Sequence, residues 1–72
     1  MTTIRDTMTG YHRLISDATG VTDHALLNDI EEIMRSENGG VLDDLGIVQF
    51  QSLARQAAVV AQQMWNENRE VG

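Results

Sequence analysis

Leu45 to Glu70, LGIVQFQSLARQAAVVAQQMWNENRE, is the stretch of sequence that decides the fold. After Gly46 it contains neither Gly nor Pro, the two residues that most often interrupt a helix. Its apolar residues recur at helical spacing and fall on one continuous arc of about 160°. The stretch therefore predicts a helix over 47–69, roughly 33 Å long at 1.5 Å per residue.

The start of this helix is marked by the residues around Gly46. Gly is accepted as an N-cap, and Gln49 stands three residues later, as in a capping box. Leu45 and Phe50 occupy the positions of a hydrophobic staple on either side of the cap.

Two shorter helices are predicted before it. A first helix is expected over 3–18, ended by Gly20, from apolar residues at 4-3-4-3 spacing: Ile4, Met8, Tyr11, Ile15 and Ala18. A second is expected over 23–37, with Thr22 as N-cap and Asn38-Gly39-Gly40 as the stop. Its apolar residues cover an arc of about 120°: Leu26, Leu27, Ile30, Ile33 and Met34.

Residues 1–72 are thus predicted to form a single all-α domain, a three-helix bundle with a long C-terminal helix. A core this small rarely supplies more than about 3–5 kcal/mol, and without cysteine no disulfide can add to it. The apolar arc of the last helix is also wider than packing against a single neighbouring helix requires. We therefore expect a homodimer through the last helix, with a dimer or partner interface at Ala54, Ala57, Ala58, Ala61 and Trp65.

The charge is concentrated in one segment. Val21 to Gly46 contains seven carboxylates and, with His neutral, only Arg35 as a positive charge, so it holds the whole net charge of −6. Nucleic acid is a disfavoured partner because binding to phosphates needs clustered Lys and Arg, and the chain has no Lys. An acidic surface favours a protein partner with a basic surface, and the predicted partner-binding face consists of Asp29, Glu31, Glu32, Asp43 and Asp44.

Asp29, Glu31 and Glu32 lie outside the apolar arc of their helix. We therefore expect them to be surface charges that contribute little to stability, since exposed charges are each worth about 0–1 kcal/mol.

No pattern in the sequence indicates an enzyme or a cofactor. There is no phosphate-binding loop, dinucleotide-binding glycine motif, zinc-protease motif or calcium-binding loop. The two histidines, His12 and His24, are too few and too far apart in sequence for a zinc cluster, so we expect no metal. His12 is expected to be a partly buried structural residue and His24 a surface residue.

The segment IEEIMR (Ile30–Arg35), followed by LDDLGIVQFQSLARQA (Leu42–Ala57), resembles a segment of small uncharacterised phage, plasmid and bacterial helical proteins. In those proteins an IMR helix end precedes LD, a helix cap and an aromatic before an AR pair; Gly46 stands where they usually have a hydroxyl cap. The resemblance implies no activity. It implies a mobile-element accessory protein, a class that often binds and blocks a host or defence protein.

These observations predict a non-enzymatic protein-binding module that inhibits a host or defence protein through its acidic helical face. The segment 1–10 lacks the apolar run of a signal peptide and no stretch approaches a membrane span, so we expect no membrane contact and a cytoplasmic location, the host cytoplasm if a phage encodes the chain. One alternative is a small DNA-binding regulator, which requires an assembled dimer to collect Arg5, Arg13 and Arg55. Another is a structural subunit of a larger assembly.

Overall fold

The computed structural model describes residues 3–7 and 10–71, and only the backbone of residues 5, 6 and 68–71. The helices are α1 (Ile4–Thr7), α2 (Tyr11–Thr19), α3 (His24–Glu37) and α4 (Ile47–Val71). α1 is a single turn, the other three form the bundle, and no strand occurs in the part of the chain that the structure describes. The predicted all-α fold, three helices with a long C-terminal one, is confirmed.

The prediction of one continuous helix over 3–18 is wrong, because the chain is not helical at Gly10. Gly10 has the extended conformation φ −62°, ψ 149° and precedes α2 as its N-cap, so α1 and α2 are separate elements. Gly within a helix costs up to about 1 kcal/mol relative to Ala, which makes this position an easy place to break. Separated from α2, α1 lies against the start of α4, where the Ile4 N–H donates to the Leu45 carbonyl at 3.0 Å. Met8, part of the predicted stripe, lies outside the described residues.

The connection from α2 to α3 is a glycine turn followed by an aspartate cap. Gly20 ends α2 at φ 78°, a left-handed conformation that Gly adopts without strain. The N-cap of α3 is Asp23, not the predicted Thr22. Its carboxylate accepts hydrogen bonds from the N–H groups of Ala25 at 2.9 Å and Leu26 at 3.3 Å. A carboxylate at this position satisfies two of the free N–H groups and also interacts favourably with the helix dipole.

The loop from α3 to α4 is built on the predicted glycine pair. Gly39 and Gly40 both have positive φ, 69° and 91°, and the Gly40 N–H returns to the Arg35 carbonyl at 2.6 Å. Leu42 then enters the core, where it is 1% exposed, and holds the loop against the bundle.

The predicted capping box at the start of α4 is confirmed. The Gln49 side-chain oxygen accepts a hydrogen bond from the Gly46 N–H at 3.1 Å. The Gly46 carbonyl accepts the first helical hydrogen bond, from the Phe50 N–H at 2.9 Å.

Pairs of residues show how the helices run. Near the start of α3, Asp29 contacts Trp65, whereas Ile33, nearer its end, shares a cleft with Leu53, so α3 and α4 are antiparallel. With 25 and 14 residues, α4 and α3 are about 37 and 21 Å long. α3 therefore cannot cover the full length of α4.

The alanine stripe of α4 forms the centre of the core. Ala54, Ala57 and Ala61 are 0%, 2% and 1% exposed because α2 and α3 both pack on α4 along this stripe. Ala58 and Trp65 are half-buried and pack against the same core. Ala54, Ala57 and Ala61 are therefore not free to form the predicted dimer or partner interface, because the chain itself covers them. For Ala58 and Trp65, which are half-buried, the interface stays a prediction. The remaining buried residues are Ile4, Ile15, Leu26, Leu27, Ile30, Met34, Leu42 and Phe50.

We predict that Ala57→Leu lowers the free energy of unfolding by about 1–3 kcal/mol, because the larger side chain overpacks a close helix contact. The matched control is Ala25→Leu, at an exposed position of α3, which should leave stability nearly unchanged. Chemical denaturation followed by circular dichroism measures both. Equal unfolding midpoints for the two variants would contradict the close packing at Ala57.

Candidate interaction surfaces

The first carboxylate of the predicted acidic face, Asp29, is bonded to α4. The Trp65 indole Nε1–H donates to the Asp29 carboxylate at 2.6 Å, and both side chains are half-buried. A hydrogen bond to a charged acceptor is roughly twice as strong as a neutral one. This contact therefore ties the beginning of α3 to the later part of α4.

The second carboxylate, Glu31, is shared between two bases. Its Oε2 is 3.2 Å from Nε of Arg35, one turn later in α3, and its Oε1 is 3.6 Å from Nε2 of His12 in α2. The Arg35 guanidinium also donates to the Gly40 carbonyl at 3.2 Å. Glu31 therefore holds Arg35, whose guanidinium reaches the glycine loop, and lies next to His12 of α2.

Asp43, another carboxylate of the predicted face, accepts a hydrogen bond from the Tyr11 hydroxyl. The Tyr11 ring stacks on Phe50 with ring centroids 6.4 Å apart, and the Arg35 guanidinium lies 5.1 Å from its centre. The hydrogen bond to Asp43 is the main cause that raises the pKa of the Tyr11 hydroxyl, and burial acts in the same direction.

The structure therefore does not bring the five predicted carboxylates together as one open face. Glu32 and Asp44 are exposed, whereas Asp29, Glu31 and Asp43 are half-buried in contacts between elements. The expectation that Asp29 is merely a surface charge is wrong, because its carboxylate accepts a hydrogen bond from Trp65 of α4. Glu31 is half-buried and bonds to Arg35 of its own helix.

The bundle leaves a row of apolar side chains uncovered instead. A small cleft of about 120 Å³ opens between α3 and α4, lined by Ile33, Leu53, Ala57 and Val60 with Glu37 and Gln56. Val60 is 45% exposed, and Met64, one turn further on the same side of α4, is 53% exposed. We call Ile33, Leu53, Val60 and Met64 the apolar flank. Val48 and Val59, also exposed, point to other sides of α4 because they are out of phase with this row.

Periodicity alone did not identify the apolar flank, because Leu53, Val60 and Met64 belong to the same wide arc as the buried alanines. The spacing 50, 53, 57, 60, 64 does not separate them either, because Phe50 and Ala57 in the same row are buried whereas Val60 and Met64 are exposed.

The two histidines, distant in sequence, lie close in space. The ring centroids of His12 and His24 are 6.3 Å apart, at a groove of about 430 Å³ between α2 and α3 that Arg13, Ser16 and Asp17 also line. Within residues 3–7 and 10–71, no three His, Asp or Glu side chains are grouped so that they could hold a metal ion.

Two of the three arginines that the DNA-binding alternative requires, Arg13 and Arg55, have side chains that the structure describes. Arg55 Nε donates to the Ala18 carbonyl at 3.3 Å, which joins α4 to the end of α2. Arg13 is exposed on α2, and the side chain of Arg5 lies outside the described residues.

Comparison with models of protein families, with curated proteins and with solved structures gives no match for this chain. Over the described residues, none of the helices is both long enough and apolar enough to cross a bilayer.

We predict that Asp29→Ala lowers the free energy of unfolding by about 1–2 kcal/mol, because the Trp65 N–H loses a charged acceptor. Trp65 is the only tryptophan, so its fluorescence reports the change directly, and we expect emission at longer wavelength as water reaches the indole. Glu32→Ala removes the same charge at an exposed site and is the control. If both variants behave like the parent, the contact between Asp29 and Trp65 does not hold α3 to α4.

We predict that the Tyr11 hydroxyl titrates at higher pH in the folded protein than in the unfolded chain, because the protonated hydroxyl donates a hydrogen bond to the Asp43 carboxylate. Since the unfolded chain loses this proton first, the contribution of Tyr11 to stability is complete below the unfolded pKa. It disappears as the pH rises through the folded pKa.

Phenolate absorbance measures this titration without interference, because Tyr11 is the only tyrosine. Asp43→Asn should move the midpoint of the folded protein towards that of the unfolded chain. A folded parent that titrates at or below the midpoint of the urea-unfolded chain would contradict the bond.

Proposed function

We propose that this chain is a non-enzymatic protein-binding module whose contact surface is the apolar flank. The observation that carries the proposal is the exposure of Val60 and Met64 next to the cleft formed by Ile33 and Leu53. Removing apolar surface from water contributes roughly 25 cal/mol per Å², so a continuous row of such side chains favours association with another protein.

The border of the apolar flank has the polar character of an interface rim. Glu37 and Gln56 line the cleft beside the apolar residues, and both are exposed. Interfaces typically combine an apolar centre with a polar rim that stays in water. The arrangement supports a docking surface more than a pocket for a small molecule, because the cleft of about 120 Å³ is smaller than the roughly 300–1,000 Å³ of ligand sites.

Such a module could act as a mobile-element accessory protein that inhibits a host or defence protein. The resemblance of the IMR and LD segments to small phage, plasmid and bacterial proteins supports this role. The acidic excess supports a partner that also carries basic residues. Glu32 and Asp44 are exposed and would act on association rate more than on final affinity, as rim charges do. We place this contact in the cytoplasm.

A DNA-binding regulator is the weaker alternative. Two of the five arginines, Arg35 and Arg55, already donate hydrogen bonds within the chain, and the net charge of −6 repels phosphate. A role as a structural subunit of a larger assembly is compatible with the same proposal, because a subunit would also contact another protein through the apolar flank.

The test compares two adjacent valines. Bead-bound parent, Val60→Asp and Val59→Asp chains are incubated with a bacterial lysate supplemented with an untagged copy of the chain, and the bound proteins are quantified. We expect Val60→Asp to reduce the main bound protein at least about tenfold, because a carboxylate enters an apolar contact. Val59→Asp, at a site 60% exposed, should bind like the parent.

Equal capture by the Val60→Asp and Val59→Asp chains would contradict the apolar flank as the contact surface. Recovery of nucleic acid in place of protein, at equal levels with all three chains, would favour the regulator.

A further inference from the structure

We infer that His12 and His24 together bind one divalent transition-metal ion of the kind that prefers imidazole ligands, such as Zn²⁺. This site shares no residue with the apolar flank, so it does not depend on the proposed function. Three features of the structure support it: the distance between the two rings, the groove beside them, and the charges around that groove.

The fold brings the two imidazoles within reach of one ion. Their ring centroids are 6.3 Å apart, with an angle of 36° between the ring planes. An ion about 2.0–2.1 Å from a ring nitrogen lies roughly 3.2 Å from that ring's centroid. Two rings on one ion are therefore separated by about 5.2 Å in tetrahedral geometry and by about 6.4 Å when they lie opposite each other.

The observed separation lies between these two values, close to the upper one. The His24 side chain is exposed, at the first residue of α3, and an approach of only about 1 Å gives the tetrahedral distance. The distance between the histidines in sequence, which was the reason to expect no metal, is therefore not a distance in space.

The groove beside the rings has room for an ion with its water molecules. It measures about 430 Å³, and the hydroxyl residues Ser16 and Thr22 line it together with both histidines. Two imidazoles fill two of the four positions around Zn²⁺, and water fills the others. Since no group of three His, Asp or Glu ligands is found within residues 3–7 and 10–71, the bound ion exchanges with solvent.

The charges around the pair favour a cation. Oε1 of Glu31 lies 3.6 Å from Nε2 of His12, so Nδ1 is the His12 nitrogen that remains for the ion. A carboxylate beside a metal-binding imidazole typically orients the ring and makes its other nitrogen more basic. Arg13 and Asp17 line the groove with opposite charges, and the net charge of −6 attracts cations to the whole chain.

An ion shared by the two rings links α2 to α3 in the folded chain. The unfolded chain does not hold His12 and His24 at this distance, so the ion binds the folded state more tightly and stabilises it. A chain without cysteine cannot make such a link with a disulfide. The site therefore makes the stability of the bundle depend on the metal concentration.

Single variants can assign the site, because the chain contains only these two histidines. The chain is prepared without a polyhistidine tag, and Zn²⁺ is titrated by calorimetry slightly above neutral pH, since only a neutral imidazole binds a metal. We expect the parent to bind one ion. His12→Gln and His24→Gln should each weaken binding about a hundredfold, because two linked ligands bind far more tightly than either alone.

The matched control for charge is Glu32→Gln, at an exposed position of α3, which should bind Zn²⁺ nearly as the parent does. Thermal unfolding followed by circular dichroism gives the second measurement and confirms that each variant is folded. Zn²⁺ should raise the melting temperature of the parent, reversibly on addition of a chelator, and leave both histidine variants unchanged. Mg²⁺, which prefers oxygen ligands, should have no such effect.

A parent that binds two ions, with one lost in each histidine variant, would overturn the inference, because the imidazoles would then act separately. Equal affinities for the parent and the histidine variants, or an equal response to Mg²⁺, would overturn it by placing the ion on carboxylates. None of these results changes the capture expected at Val60, so this inference and the proposed function fail separately.

Discussion

The close approach of α2 and α3 to α4 at its alanine stripe is the constraint on which the rest of the structure depends. Ala54, Ala57 and Ala61 have no side chain beyond Cβ, so the neighbouring helices can pack almost against the backbone of α4. Larger residues from those helices, such as Ile15, Ile30 and Met34, then fill the space on either side. The small residues are therefore what allows so short a chain to enclose a continuous core.

Around this core, polar contacts at the perimeter fix how the helices are placed. Trp65 bonds to Asp29 and Tyr11 to Asp43, and each of these bonds joins different elements. Glu31 bonds to Arg35 of its own helix and lies beside His12 of α2. These pairs withdraw carboxylates from the surface that sequence analysis assigns to a partner. The acidic segment therefore contributes to holding the bundle together as well as to its charge, whereas Val60 and Met64 of the apolar flank remain about half exposed.

Periodicity predicted the fold because each helix has a distinct apolar face and a clear end signal, as at Gly20 and Gly39-Gly40. It failed where the outcome depends on the rest of the chain. Gly10 is tolerated in a helix pattern, whereas in the fold it is extended and the segment before it pairs with Leu45 and Gly46. The wide arc of α4 likewise shows how many side chains are apolar, but not which of them the chain itself covers. The bond from Asp29 to Trp65 spans 36 positions of sequence, beyond the reach of any local pattern.

The placement of α1 has a consequence for the order in which the chain can fold during synthesis. Ile4 is buried, yet its backbone hydrogen-bond partner, Leu45, is far from it in sequence and lies immediately before α4. Closing this loop costs more conformational entropy than closing the short connection that joins α3 and α4, which can pair locally. Ile4 therefore pairs only after Leu45 has been translated, and the core stays open until α4 has followed it.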